Sequence, residues 1–222
     1  QMDIYFQLFE AGGTPLSAAV KVDQDTLIFA RSPSIVRMAD GSFLVIWRAQ
    51  AGIVSGAIKY MARVVSPDGT PKGDAFQLNQ TELTSETALG TNVDSPFAKR
   101  LRNSNLAVSW MGQSVDKSNA DVYLRILKPD ASFLTDELPT GADTDAAEGS
   151  SVIADTLNGG LAIFWTSINN PPKGEKGDPA AKKKAIVMGR MFDQFAAQKG
   201  DLLQLTPGEF DFEGMPAVAT FE

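Results

Sequence analysis

The sequence predicts an all-β fold: a β-propeller, or a segment of one, made of four-stranded antiparallel blades, with three complete repeats and partial repeats at both ends. Three observations lead there. The first is self-similarity. Phe43-Leu44-Val45-Ile46-Trp47 returns as Leu106-Ala107-Val108-Ser109-Trp110 and again as Leu161-Ala162-Ile163-Phe164-Trp165, so all three tryptophans stand at one equivalent place. The second is that each Trp segment is apolar at successive rather than alternate positions, the pattern of a strand buried on both faces. The third is the recurrence of Asp-Gly and Gly-Gly reversals between short β-rich stretches, which leaves almost no room for helices.

Each repeat divides into four predicted strands. Fourteen residues before each Trp lie Pro33, Pro96 and Ser151, which open the first strand, and the Trp segment is the second. The third recurs as Ile4 to Phe9, Tyr60 to Val65, Val122 to Leu127 and Val187 to Phe192. A reversal follows: Ala11-Gly12-Gly13-Thr14-Pro15 aligns with Pro67-Asp68-Gly69-Thr70-Pro71, and Pro129-Asp130-Ala131 takes the same place. The last strand is Ala19 to Val22, Phe76 to Asn79 and Leu202 to Leu205, with a weak counterpart near Glu137-Leu138. Met215-Pro216-Ala217-Val218 opens a further copy that stops before its Trp. The predicted organisation is a partial repeat at 1–30, repeats at 31–92, 93–148 and 149–213, the last with a basic insertion at 169–184, and the start of another at 214–222. Fragments at both ends and a first residue that is not Met suggest a window on a longer polypeptide, or a ring completed by a protein partner or further chain segment.

Composition narrows the chemistry. With 20 Lys+Arg against 27 Asp+Glu the formal charge is −7, which argues against a nucleic-acid partner. Cys and His are both 0, which removes thiol nucleophiles, disulfides, Cys/His zinc sites and every histidine-based triad. No apolar run approaches the roughly 18 residues of a membrane span, so no membrane insertion is expected.

The stretch Asp3-Ile4-Tyr5-Phe6-Gln7-Leu8-Phe9-Glu10-Ala11-Gly12-Gly13-Thr14-Pro15-Leu16 and the run Met38-Ala39-Asp40-Gly41-Ser42-Phe43-Leu44-Val45-Ile46-Trp47 resemble tandem repeats of large microbial secreted and cell-surface proteins. Those repeats pair an Asp-Gly-Gly-Phe-Val-Val-Val-Trp half with an Ile-Tyr-Gly-Gln-Arg-Phe-Asp-Ala-Asp-Gly half. The resemblance implies propeller-like blades and an extracellular or cell-surface location, and attaches no catalytic residue. Asn103-Ser104-Asn105 and Asn158-Gly159-Gly160 depart from the first half, and Phe195-Ala196 from the second.

Candidate functional residues are few. Trp47, Trp110 and Trp165 would form a sugar-stacking ring if they faced one channel, whereas equal spacing on strands favours packing between blades. Gln7, Arg63, Arg125 and Arg190 share a repeat position; facing a channel they would grip carboxylates or sulfates, and facing outward they would pair with local acids. Asp143, Asp145 and Glu148 offer oxygen ligands but lack a calcium loop's third Asp and turn Gly, so no metal site is expected. Ser66-Pro67-Asp68-Gly69-Thr70 fails the Asp-box pattern of sialidases, and no carboxylate pair is singled out. The third repeat spends about ten extra residues after its Trp. There Lys173, Lys176, Lys182, Lys183 and Lys184, against Glu175 and Asp178, make a basic loop suited to an acidic partner or anionic glycan.

The resulting expectation is a non-catalytic structural or adhesive propeller module of an extracellular or cell-surface assembly, binding protein or glycan, with no cofactor. The alternatives are a carbohydrate-active propeller enzyme, glycosidase- or lyase-like, using carboxylates, or a cytoplasmic interaction propeller. An enzyme should hold clustered carboxylates with raised pKa, and a scaffold should spread its acids over solvated loops.

Overall fold

The structure is a computed structural model. It describes residues 2–24, 29–51, 57–84, 95–114, 120–141, 147–169, 184–206 and 210–211. The described residues contain strands and no helix. A partial first unit holds β1 (Tyr5–Phe6) and β2 (Val20–Lys21). The second unit runs β3 (Phe29–Arg37), β4 (Phe43–Gln50), β5 (Ile58–Val65) and β6 (Pro71–Gln77), followed by the two-residue β7 (Leu83–Thr84). The third is β8 (Phe97–Arg100), β9 (Leu106–Ser114), β10 (Ala120–Leu127) and β11 (Leu138–Pro139). The fourth is β12 (Ala147–Asp155), β13 (Leu161–Asn169), β14 (Lys184–Phe192) and β15 (Gln198–Gln204), with β16 (Phe210–Asp211) beside β14.

Every pairing is antiparallel, and the register repeats: Trp47 lies opposite Met61, Trp110 opposite Tyr123 and Trp165 opposite Met188. The separation into four-stranded repeats is broken at one place. Leu83 of β7 pairs with Ile58 on one side and Ser114 on the other, joining the second and third units into a single nine-stranded sheet. A buried residue with hydrogen bonds on both strand edges links the two ladders where they converge.

Seven hairpin turns among the described residues share one hydrogen-bond pattern. In 38–42, for example, Met38 N–H donates to Ser42 C=O and Gly41 N–H to Met38 C=O; turns 10–14, 66–70, 101–105, 128–132, 156–160 and 193–197 repeat it. The fourth residue of each is left-handed: Gly13, Gly41, Gly69 and Gly159, but also Ser104 (φ 68°), Ala131 (φ 67°) and Ala196 (φ 65°). This is a type I turn closed by a left-handed residue, and the sequence departures at Ser104 and Ala196 keep its geometry at a steric cost. Ser104→Gly is therefore expected to raise the unfolding free energy by about 0.5–1 kcal/mol in urea titration, and a loss of stability would contradict the shared turn geometry.

Packing explains the non-alternating Trp strands. Val45, Trp47 and Ala49 of β4 face the first unit, packing with Ile4, Phe6 and Val22, while Leu44 and Ile46 face the third, packing with Val108 and Trp110. The third unit likewise meets the fourth through Ala107, Met111, Leu124, Ile163 and Trp165. The second and third units are thus sheets with core on both faces, and each Trp packs back onto the unit before it.

Candidate functional site

Three of the four repeat-matched side chains, Gln7, Arg63 and Arg125, bind backbone carbonyls, and the fourth, Arg190, binds a side-chain oxygen. Arg63 Nε donates to Gly73 C=O (2.9 Å) and its Nη1 to Val22 C=O of the preceding unit (3.0 Å). Arg125 does the same, Nε to Thr135 C=O (3.1 Å) and Nη1 to Leu78 C=O (2.5 Å), with its guanidinium 3.5 Å above the Phe133 ring. Desolvation by its buried surroundings holds Arg125 below the ordinary arginine pKa. Gln7 Nε2 donates to Ser17 C=O (2.9 Å), and Arg190 Nη1 reaches Gln198 Oε1 (3.1 Å). Backbone carbonyls are the hydrogen-bond partners of Arg63 and Arg125, and the charges of Asp136 and Glu137 also act on Arg125. The tryptophans are nearly closed to solvent, at 2% for Trp47, 1% for Trp110 and 0% for Trp165. Lys173, Lys176, Lys182, Lys183, Asp143, Asp145 and the segment Met215 to Phe221 lie outside the described residues, as does the side chain of Lys184.

A second repeated device leads to the site. In three units the backbone N–H at the start of the third strand is capped by a side chain nineteen residues later: Ile4 by Asp23 Oδ1 (2.5 Å), Tyr60 by Asn79 Oδ1 (2.7 Å) and Val187 by Thr206 Oγ1 (3.1 Å). In the third unit that place is Gly141, which has no side chain to offer. Glu148 of β12 fills the gap from the next unit. Its Oε2 accepts Val122 N–H (3.0 Å) and its Oε1 accepts Trp165 Nε1–H (2.9 Å). A Cβ at position 141 would collide with the Glu148 carboxyl, so the glycine makes room for it.

Glu148 is 2% exposed, and burial, reinforced by the charge of nearby Asp121, pushes its pKa up to about 7 against the pull of Val122 N–H, the Trp165 indole and Arg190. Asp121, on β10, is itself 7% exposed. The charge of a second acid thus adds to burial in raising this carboxyl, a combination that also occurs at catalytic acids and bases. The sequence reading weighed Glu148 only as an oxygen ligand alongside Asp143 and Asp145, and passed over Asp121. The available signal was a repeat column: Glu148 stands where the second unit has Ala30, opposite a cap position occupied by glycine. Among the described residues no group of three or more acids is placed to hold a metal ion, and no helix is long and apolar enough to cross a membrane.

No protein-family model matches the chain, and no curated protein matches it. Solved structures do. One is a complex of BT0996 with RGII, 13% identical with TM-score 0.46, covering 87% of this chain, which spans 61% of that one's length. Another is an endo-arabinase from Bacteroides thetaiotaomicron VPI-5482, 12% identical with TM-score 0.43, covering 91% of this chain and 81% of that one. The likeness is one of β architecture. The expectation of a non-catalytic structural or adhesive module is corrected on the chain's own chemistry: a buried Glu148 carboxyl pushed up to about 7 near Asp121 departs from the acids spread over solvated loops that such a module was expected to hold.

Proposed function

We propose that the chain is a segment of a carbohydrate-active β-propeller whose four-stranded units are its blades. In this reading Glu148 is the proton-donating carboxyl of glycosidic-bond cleavage and Asp121 the second carboxylate. The observation that supports it is the Glu148 carboxyl, pushed up to about 7 near Asp121 where β12 of the fourth unit meets β10 of the third. At neutral pH such a group is populated in both protonation states, so it can give a proton to a leaving oxygen and recover it from water. Secretion or cell-surface placement, which the tandem-repeat resemblance implies, belongs to the same proposal because polysaccharide is met outside the cell.

The test is release of reducing ends from arabinan and from RGII-derived oligosaccharides, followed from pH 4 to 9. The expected profile falls on its alkaline side with a midpoint near 7, as Glu148 loses its proton. Glu148→Gln is expected to slow the reaction by about 10²–10⁴-fold. An unchanged rate in that variant, or no cleavage of either glycan by the parent chain, would overturn the assignment.

A further inference from the structure

The turn between β14 and β15 departs from its counterparts in a way that its own geometry does not require. In turns 66–70 and 128–132 the third residue is an aspartate, and Asp68 Oδ1 and Asp130 Oδ1 each accept the N–H two residues on, from Thr70 and Ser132 (2.9 Å in both). In turn 193–197 that place holds Phe195, and the cap has moved to the first residue: Asp193 Oδ1 accepts Phe195 N–H (2.9 Å) and Ala197 N–H (3.0 Å). The turn is closed without its third side chain, and Phe195 stands 77% exposed.

The ring borders an open groove of about 360 Å³ whose other walls are Leu134, Asn103, Asn105 and Gln194. A Cβ on Gly159 of turn 156–160 would lie 3.7 Å from Gln194 Cβ and 3.8 Å from Asn103 Cβ, so turns 101–105 and 193–197 both reach it. Asn103 is fixed in place, its Nδ2 donating to Gly159 C=O (3.1 Å) and its Oδ1 accepting Asn105 N–H (3.1 Å). The side-chain amides of Asn105 and Gln194 make no hydrogen bond among the described residues. No charged side chain lines the groove, and charges on the same turns are paired: Asp193 with Lys199 (3.1 Å) and Arg102 with Asp155 (2.9 Å). Side-chain amides both donate and accept, as sugar hydroxyls do, and an exposed aromatic face can cover the C–H face of a sugar ring.

We propose that this groove binds a stretch of neutral polysaccharide, one sugar ring lying on Phe195 and Leu134 with its hydroxyls met by the amides of Gln194, Asn103 and Asn105. The uncharged lining selects a neutral sugar over a uronate, whose carboxylate would find no cation there. The groove is separate from the carboxyl of the proposed cleavage. Glu148 is the second residue of β12 and turn 156–160 follows the last, so the strand between them spans roughly 25 Å. The inference rests on the carbohydrate reading above for its ligand class and concerns binding alone, so it is separable from cleavage at Glu148.

The experiment titrates the chain with linear arabinopentaose, a neutral probe, and with pentagalacturonate, an acidic one, while following the NMR amide signals of turns 101–105 and 193–197. Saturable shifts are expected with arabinopentaose, with a Kd on the order of millimolar, as suits a shallow open site. Pentagalacturonate should bind about tenfold more weakly or not at all. Two variants carry residues that the sister turns already use, so the turn is kept. Phe195→Asp, as at Asp68 and Asp130, removes the platform and is expected to weaken arabinopentaose about tenfold or more, and Phe195→Ala, which adds no charge, should do the same. Gln194→Pro, as at Pro67 and Pro129, removes one amide and should weaken it about threefold. Full affinity in both Phe195 variants, equal binding of the two oligomers, or no saturable shift at about 100-fold the expected Kd would each overturn the site. So would shifts of the same signals on raising the chain's own concentration without sugar, which would assign the ring to a second copy. Groove binding by a chain that cleaves neither glycan would remove the catalytic reading and leave this one standing. Cleavage without shifts in the groove would do the reverse.

Discussion

Trp110→Ala is expected to lower the free energy of unfolding by about 4 kcal/mol. The indole is 1% exposed and lies between the Tyr60 ring of the preceding unit, centroids 5.7 Å apart, and Tyr123 of its own, at 6.5 Å. Tyr60 is in turn tied to the third unit by its hydroxyl, which donates to Met111 C=O (2.7 Å). The surrounding strands are held by continuous ladders and cannot close over the lost volume, so the cavity term adds to the lost transfer energy. Trp110 Nε1 has no hydrogen-bond partner, so no bond of the indole offsets the comparison. Trp47→Ala should cost less, because Trp47 already borders open space. Urea unfolding of the two variants measures both. A loss below about 1 kcal/mol for Trp110→Ala would mean that the ring is not an inter-unit core residue.

The second large effect is on pH dependence. Glu148 has an ordinary pKa of 4.5 and is pushed up to about 7 when folded. Between those values the folded chain binds the proton more tightly than the unfolded chain does. Its contribution is fully present below pH 4.5, is lost as the pH rises through about 7, and changes no further above that. The span corresponds to about 3 kcal/mol. Asp40, Asp68 and Asp130 act in the opposite sense in a separate window. Bonds from Ser42, Thr70 and Ser132 hold their pKa values below the ordinary 3.8, so their stabilisation is lost only as pH falls below that range. Unfolding free energy is therefore expected to decline from pH 4.5 to 7. Glu148→Gln should flatten that decline, and an unchanged slope in this variant would show that the carboxyl is not the titrating group. The same variant leaves one neighbouring donor unmet, because an amide nitrogen cannot accept from Val122 N–H or Trp165 Nε1–H.

The strands and their order were legible in the sequence because both depend on local pattern. Apolar runs ending at Trp47, Trp110 and Trp165 became β4, β9 and β13 in one register, and the Gly-bearing reversals became turns of one geometry. Even Ser104 and Ala196, which break the glycine pattern, sit in the left-handed conformation, since the hydrogen bonds of the paired strands over-determine the turn. The function drawn from that pattern was the part that failed. Residues that repeat are those that hold units together, and Arg63 and Arg125 spend their donors on backbone carbonyls. The proposed chemistry lies where the repeat breaks, at Gly141 with Glu148, which are only seven residues apart in sequence but whose meeting with Val122 and Trp165 is made by folding. What the sequence determined by itself is the strand pattern, through burial on two faces and turn geometry. What only the tertiary structure decided is the pairing of a missing side chain on one unit with a carboxyl on the next, because burial and the charge of Asp121, both set by packing, are what raise that carboxyl to about 7.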